Sequence, residues 1–115
     1  VTRTLRTAKL EGRKAFAWWP SLPDADAHAG FAETSMMLAI APHLVDMSRA
    51  QKGNTASLGE LEPVLRAEGV IGVSANGILG DPRDANAQQG FDYLNQLQRS
   101  LSDFVLEHCV LAVKP

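Results

Sequence analysis

A chain of 115 residues is long enough for one compact domain and too short for two ordinary ones. Hydrophobic residues make up 45% and charged residues 21%, which excludes the low-hydrophobicity regime of disorder. With 11 Lys and Arg against 13 Asp and Glu the net charge is -2, so nothing in the balance favours nucleic acid or an anionic membrane as partner.

The opening stretch "VTRTLRTAKLEGR" reads as a helix already under way. Leu5 and Ala8 share a face, while Arg3, Arg6, Lys9 and Arg13 project elsewhere. No N-terminal cap stands out and residue 1 is valine, so a processed or truncated chain is expected. Gly12 stops the helix. The apolar and aromatic run "KAFAWW", ended by Pro20, then suits a buried strand of about six residues. "PSLPDADAHAGFA" carries the prolines, aspartates and glycine of a loop.

From Glu33, "ETSMMLAIA" predicts a helix with an acid in its first turn, limited by Pro42. "LGELEPVLRA" predicts a short helix in which Pro63 must sit early or cause a break. "GVIGVSANGILGDP" reads as a strand and turn or a tight hairpin. The last segment, from about Asn86, sets Phe91, Leu94, Leu97, Leu101, Phe104, Val105 and Cys109 at three- and four-residue intervals. That spacing predicts a long amphipathic helix with Asp84 as a cap candidate. Helices alternating with short strands make the expected class α/β. A single cysteine, Cys109, allows no internal disulfide and fits a reducing, cytoplasmic setting. No apolar run approaches the ~20 residues that span a bilayer, and no signal core is present.

His28 and Glu33 are the side chains best suited to chemistry. An imidazole can accept a proton or bind a metal, a carboxylate can bind a metal or activate water, and Gly30 between them permits close backbone approach. A loop before a helix also uses Asp, His and Glu for turns and caps, and a metal site needs two further ligands. Asp24 and Asp26 can each orient His28 or hold the loop through backbone amides. His43 suits a surface helix end. Adjacent His108 and Cys109 point apart on a helix and form no nucleophilic pair. Ser35 lacks a nucleophile elbow, and "GVSANGILG" lacks the phosphate-loop lysine.

"DAHAGFAETSMMLAIAP" resembles the "DAHAG..ETS..L...P" segment of the creatininase family, and "GVSANGILGDPRDANAQQG" resembles a second family stretch before its final helix. With "LRTAKLEGRKAFAWW" the resemblance extends across nearly the whole chain. It implies a layered α/β metal-dependent amidohydrolase that assembles into homo-oligomers and hydrolyses C–N amide bonds in creatinine, formamides or a precursor peptide. It also implies a divalent cofactor, Fe or Zn with Mn as a further option.

By the same resemblance His28 is the catalytic histidine. Glu33 is the acid at the metal centre, binding the ion or supporting its ligands, and Asp26 and Gly30 are supporting or substrate-proximal. The family's "TEQHG" and "NGHGGN" motifs are absent, and Phe31 and Ala32 replace a polar pair. The chain therefore resembles the C-terminal half of the family domain, residues 1–115 forming a single domain or part-domain. Its partners are then the N-terminal half or a second chain, which would carry the remaining ligands. A noncatalytic assembly or binding module is the alternative from another class.

Overall fold

The structure, a computed structural model, describes residues 1–110, and of residues 109 and 110 the backbone alone. Its contacts fall into two units, Leu22–Gln96 and a second made of Val1–Ser21 with the described residues from Leu97 onward. Four α-helices are present among the described residues: α1 (Thr2–Leu10), α2 (Phe31–Ile40), α3 (Leu58–Glu68) and α4 (Ala87–Val105), the last continuing into a π turn, Leu106–Val110. Short 3-10 turns at Pro42–Leu44, Met47–Arg49, Val70–Gly72 and Pro82–Asp84 supply the bends.

Each helix boundary has a local cause. α1 ends where Gly12 takes φ +69° and its N–H bonds back to the Lys9 carbonyl. α2 starts at Phe31, two residues ahead of the expected Glu33, because Gly30 is its N-cap and Asp26 reaches forward to its first amides. α3 opens on a full capping box: the Ser57 hydroxyl accepts the Glu60 N–H, and the Glu60 carboxylate accepts the Ser57 N–H. Pro63 lies inside α3 and leaves it unbroken. Gly69, at φ +71°, ends it. At α4 the cap is Asn86, whose side-chain oxygen accepts the Gln89 N–H at 3.0 Å. Asp84 instead closes the preceding 3-10 turn and contributes its carbonyl to Asn86.

Neither expected strand forms among the described residues. Residues 14–19 take no regular secondary structure, and residues 70–80 fold as a 3-10 turn, a second turn and one isolated antiparallel bridge, His28 to Leu79. The physical reason is that a strand needs a second backbone to exchange hydrogen bonds with, whereas a helix closes its bonds within its own segment. The layered α/β arrangement is therefore absent from the described residues, which are helix-rich.

Within Leu22–Gln96 the buried apolar residues are Ala32, Leu61 and Leu79. Ser35 is fully buried on α2, and its hydroxyl accepts the Asn86 N–H at 3.1 Å. A Cβ on Gly90 would overlap the Ser35 carbonyl oxygen, so this glycine allows α4 to lie backbone-close on α2. In the other unit, Trp18 donates its indole N–H to Ser100 Oγ at 3.1 Å while Trp19 stays 64% exposed. His108 stacks on Phe104 with ring centroids 4.2 Å apart and meets the edge of Phe16 at 5.2 Å. The Cys109 side chain and residues 111–113 of the expected long helix lie outside the described residues.

Candidate active site

Residues 26–33 pass from a loop carrying one isolated bridge into a helix within eight positions, and the turn decides where the candidate side chains go. The backbone of His28 pairs with Leu79: the Leu79 N–H bonds to the His28 carbonyl at 2.8 Å, and the Ala27 and His28 N–H groups both bond to the Leu79 carbonyl. Ala29 then takes φ +51°, a left-handed conformation costly for a residue with a Cβ. This reversal aims the Ala29 N–H at Glu33, whose Oε2 accepts it. The same Oε2 stands 3.5 Å from His28 Nδ1. Both side chains are more than half exposed, at 57% and 54%. A carboxylate facing Nδ1 at this distance favours a ring orientation in which Nε2 is the nitrogen that exchanges a proton with a ligand.

Asp26 lies behind this pair and does not touch the imidazole through any of its three hydrogen bonds. Oδ2 accepts the Phe31 N–H and, at 3.2 Å, the Asp81 N–H, while Oδ1 accepts the Ala32 N–H at 3.1 Å. Its carboxylate thus satisfies two free amides at the start of α2 and one from the loop after Leu79. Two glycines form the cradle. A Cβ on Gly30 or on Gly80 would overlap the Asp26 carboxylate, and Gly80 also holds φ +156°.

The loop after α2 completes the scaffold. Residues 53 and 54 run along the other edge of the 78–80 segment, Gly53 N–H to the Gly80 carbonyl and Asn54 N–H to the Ile78 carbonyl, both at 3.0 Å. Buried Ser74 donates to the Ile78 carbonyl at 2.8 Å, and Asn54 Nδ2 donates to the Val73 carbonyl at 2.8 Å. The 78–80 segment is therefore held from both sides, by residues 27–28 at Leu79 and by 53–54 at Ile78 and Gly80. Asp81 caps the 3-10 turn Pro82–Asp84 and pairs with Arg83 at 2.7 Å. Hydrogen bonding from that guanidinium holds the Asp81 carboxyl down to about 2. An open cavity of about 500 Å³ adjoins this scaffold, with Asp24, Asp26, Phe31, Thr55, Ser57 and Asp81 in its wall; neither His28 nor Glu33 lines it.

The structure thus brings His28, Glu33, Asp26 and Gly30 together, and places Asp24 on the cavity wall and exposed His43 on the 3-10 turn after α2. Among the described residues no three His, Cys, Asp or Glu side chains converge on a point that could hold a metal ion. His28 and Glu33 amount to a part-set of donors, and Glu33 Oε2 already serves the Ala29 N–H. Alone, these residues do not fit a closed metal site, which needs about four donors. The sequence alone did not mark Gly80, Leu79 or the network of Asn54, Ser74 and Asn76, in which Asn76 Oδ1 accepts the Ile78 N–H at 3.2 Å. The close run of Ser, Asn and three glycines in "GVSANGILG" carries the signal, but a turn explains it equally well until its backbone partners at 27–28 and 53–54 are known.

A family model described as "Creatininase: Creatinine amidohydrolase" matches residues 2–105. The chain is 53% identical over 83 residues to the mycofactocin precursor peptide peptidase of Mycolicibacterium smegmatis, covering 71% of this chain and 33% of that protein. It is 47% identical over 88 residues to the mycofactocin precursor peptide peptidase of Mycobacterium ulcerans, covering 75% of this chain and 34% of that one. A solved structure from Bacteroides fragilis, of a protein assigned as a creatinine amidohydrolase, superposes with a TM-score of 0.57 at 25% identity. That match covers 72% of this chain and 34% of its own. The chain spans about a third of the length of the curated relatives it matches.

Proposed function

The chain belongs to the creatininase family, and from that premise we propose that it is the C-terminal part of a metal-dependent amide hydrolase, a peptidase releasing the C-terminal Val-Tyr dipeptide from the mycofactocin precursor peptide. The observation that carries this reading is the His28–Glu33 pair, set 3.5 Å apart on backbone-anchored segments, in a chain 53% identical to a mycofactocin precursor peptide peptidase. In the remaining polypeptide, or in a second copy within a homo-oligomer, lie the other ligands. Residues 14–19 find their sheet partners there, completing the layered α/β domain.

A divalent ion, Fe, Zn or Mn, held in part by Glu33, would polarise the amide carbonyl and acidify a bound water. This chain's residues handle the proton. Hydrolysis puts the oxygen of water on the carbonyl carbon, breaks the C–N bond and delivers a proton to the leaving amine. His28 carries that proton through Nε2 while Glu33 holds the ring from Nδ1. The second oxygen of Glu33 is the one donor it can offer an ion. Gly30 and Asp26 support the turn that presents both.

The test is mass spectrometry of the precursor peptide incubated with the full-length protein. Release of Val-Tyr, lost in His28→Ala, is expected. Turnover of creatinine or a formamide with the precursor left intact would move the substrate elsewhere in the family. The lack of a three-ligand cluster among the described residues favours one other reading, a noncatalytic assembly module. Full-length protein that assembles without binding metal and cleaves none of these amides would establish it.

A further inference from the structure

We propose that Asp26 is a positioning residue whose single carboxylate sets the distance between His28 and Glu33, coupling the two motif loops to the first turn of α2. The catalytic part of this proposal rests on the hydrolase reading above; the structural coupling does not.

A simple helix cap binds only the free amides of one helix. Asp26 binds those of Phe31 and Ala32 and also the Asp81 N–H, 55 positions away in sequence. The Asp81 amide follows Gly80 and Leu79, and Leu79 is the residue that pairs with His28. Glu33 sits on the helical turn that the carboxylate anchors at Phe31 and Ala32. One member of the pair thus hangs from the loop and its bridge, the other from the helix start, and the two supports meet at Asp26. The carboxylate fits because residues 30 and 80 have no Cβ. Three N–H donors converge on it, so both of its oxygens are engaged by backbone.

Asparagine at this position shows why the charge state and shape both matter. Its one oxygen can replace Oδ1 or Oδ2 but not both, and the amide NH₂ would face an N–H that has nothing else to bond. Asp26→Asn therefore releases either the Ala32 side or the Phe31 and Asp81 side. Gly30→Ala reaches the same outcome from the opposite direction, pushing the carboxylate out while leaving it chemically intact.

The experiment uses the full-length protein, with hydrogen exchange followed by mass spectrometry and steady-state kinetics on the precursor peptide. Asp26→Asn is expected to lose exchange protection in residues 29–33 and 79–82 together, with residues 58–68 unchanged as a folding control. Its kcat should fall by roughly 100-fold with KM unchanged, the signature of a misplaced catalytic group. Gly30→Ala should reproduce both effects, and in an Asp26→Ala background Gly30→Ala should add nothing further, because its Cβ then fills vacated space.

Loss of protection confined to residues 29–33 would overturn the coupling and reduce Asp26 to a cap. Loosening of both segments with kcat intact would overturn its positioning role. If Asp26→Asn does not fold, the Gly30→Ala cycle decides by the same criteria. If the wild-type protein hydrolyses no amide, the hydrolase reading fails while the exchange data still decide the coupling.

Discussion

His28 is held by backbone and by one carboxylate rather than by burial, so its removal should affect chemistry and not folding. His28→Ala is expected to lower amide hydrolysis by roughly 10²- to 10⁴-fold, the range for loss of a general acid–base group. The thermal midpoint should stay unchanged because the side chain is 57% exposed. Glu33→Gln keeps the length and one oxygen for the Ala29 N–H but removes the charge beside Nδ1. It should lower kcat and leave α2 in place by circular dichroism, whereas Glu33→Ala should also free the strained Ala29 turn.

Asp81 gives a pH-dependent prediction at the same scale. Its folded pKa, about 2, lies below the ordinary aspartate value of 3.8, so its pairing with Arg83 favours folding above the unfolded value and that contribution disappears as pH falls through about 2. Arg83→Ala should return the Asp81 titration toward 3.8, read by NMR of the carboxyl carbon.

Helices are the elements whose causes are local. The Ser57–Glu60 capping box starts α3, and Ser57→Ala should cost about 0.5–2 kcal/mol in urea denaturation. The Glu60 carboxyl is held below its ordinary value by the Ser57 hydroxyl, so the cap weakens in acid. α4 depends on a tertiary contact as well as on its cap. Gly90→Ala would press its new methyl group onto the Ser35 carbonyl oxygen and, at 2.9 Å, Ala39 Cβ. A loss of about 1–3 kcal/mol is expected from overpacking there, and helix propensity alone would predict the opposite sign.

Across the whole molecule the apolar surface left uncovered is the dominant feature of the described residues. Phe91, Leu101, Val105 and Leu106 on the last helical segment are 51%, 42%, 40% and 57% exposed, and Leu10 is 80% exposed. With Ala32, Leu61 and Leu79 as the buried apolar residues, little hydrophobic surface is removed from water. The 115-residue chain produced alone should therefore bind a hydrophobic dye and hydrolyse no amide, and the full-length protein should leave the dye unbound and cleave the precursor peptide. No helix among the described residues is long and apolar enough to cross a membrane.

The sequence by itself determined α1, the body of α2, α3 and α4, because helical periodicity, caps and glycine stops act within a few residues. It also marked His28, Glu33, Asp26 and Gly30, whose spacing and motif are contiguous. Tertiary structure alone decided that Glu33 faces His28 Nδ1, that Asp26 turns from His28 to the Asp81 amide, and that Gly80 and Gly90 are places of close approach. It also left residues 14–19 without a ladder. Each of these depends on which distant backbone lies alongside: hydrogen bonds between segments, unlike those inside a helix, leave no period in the sequence.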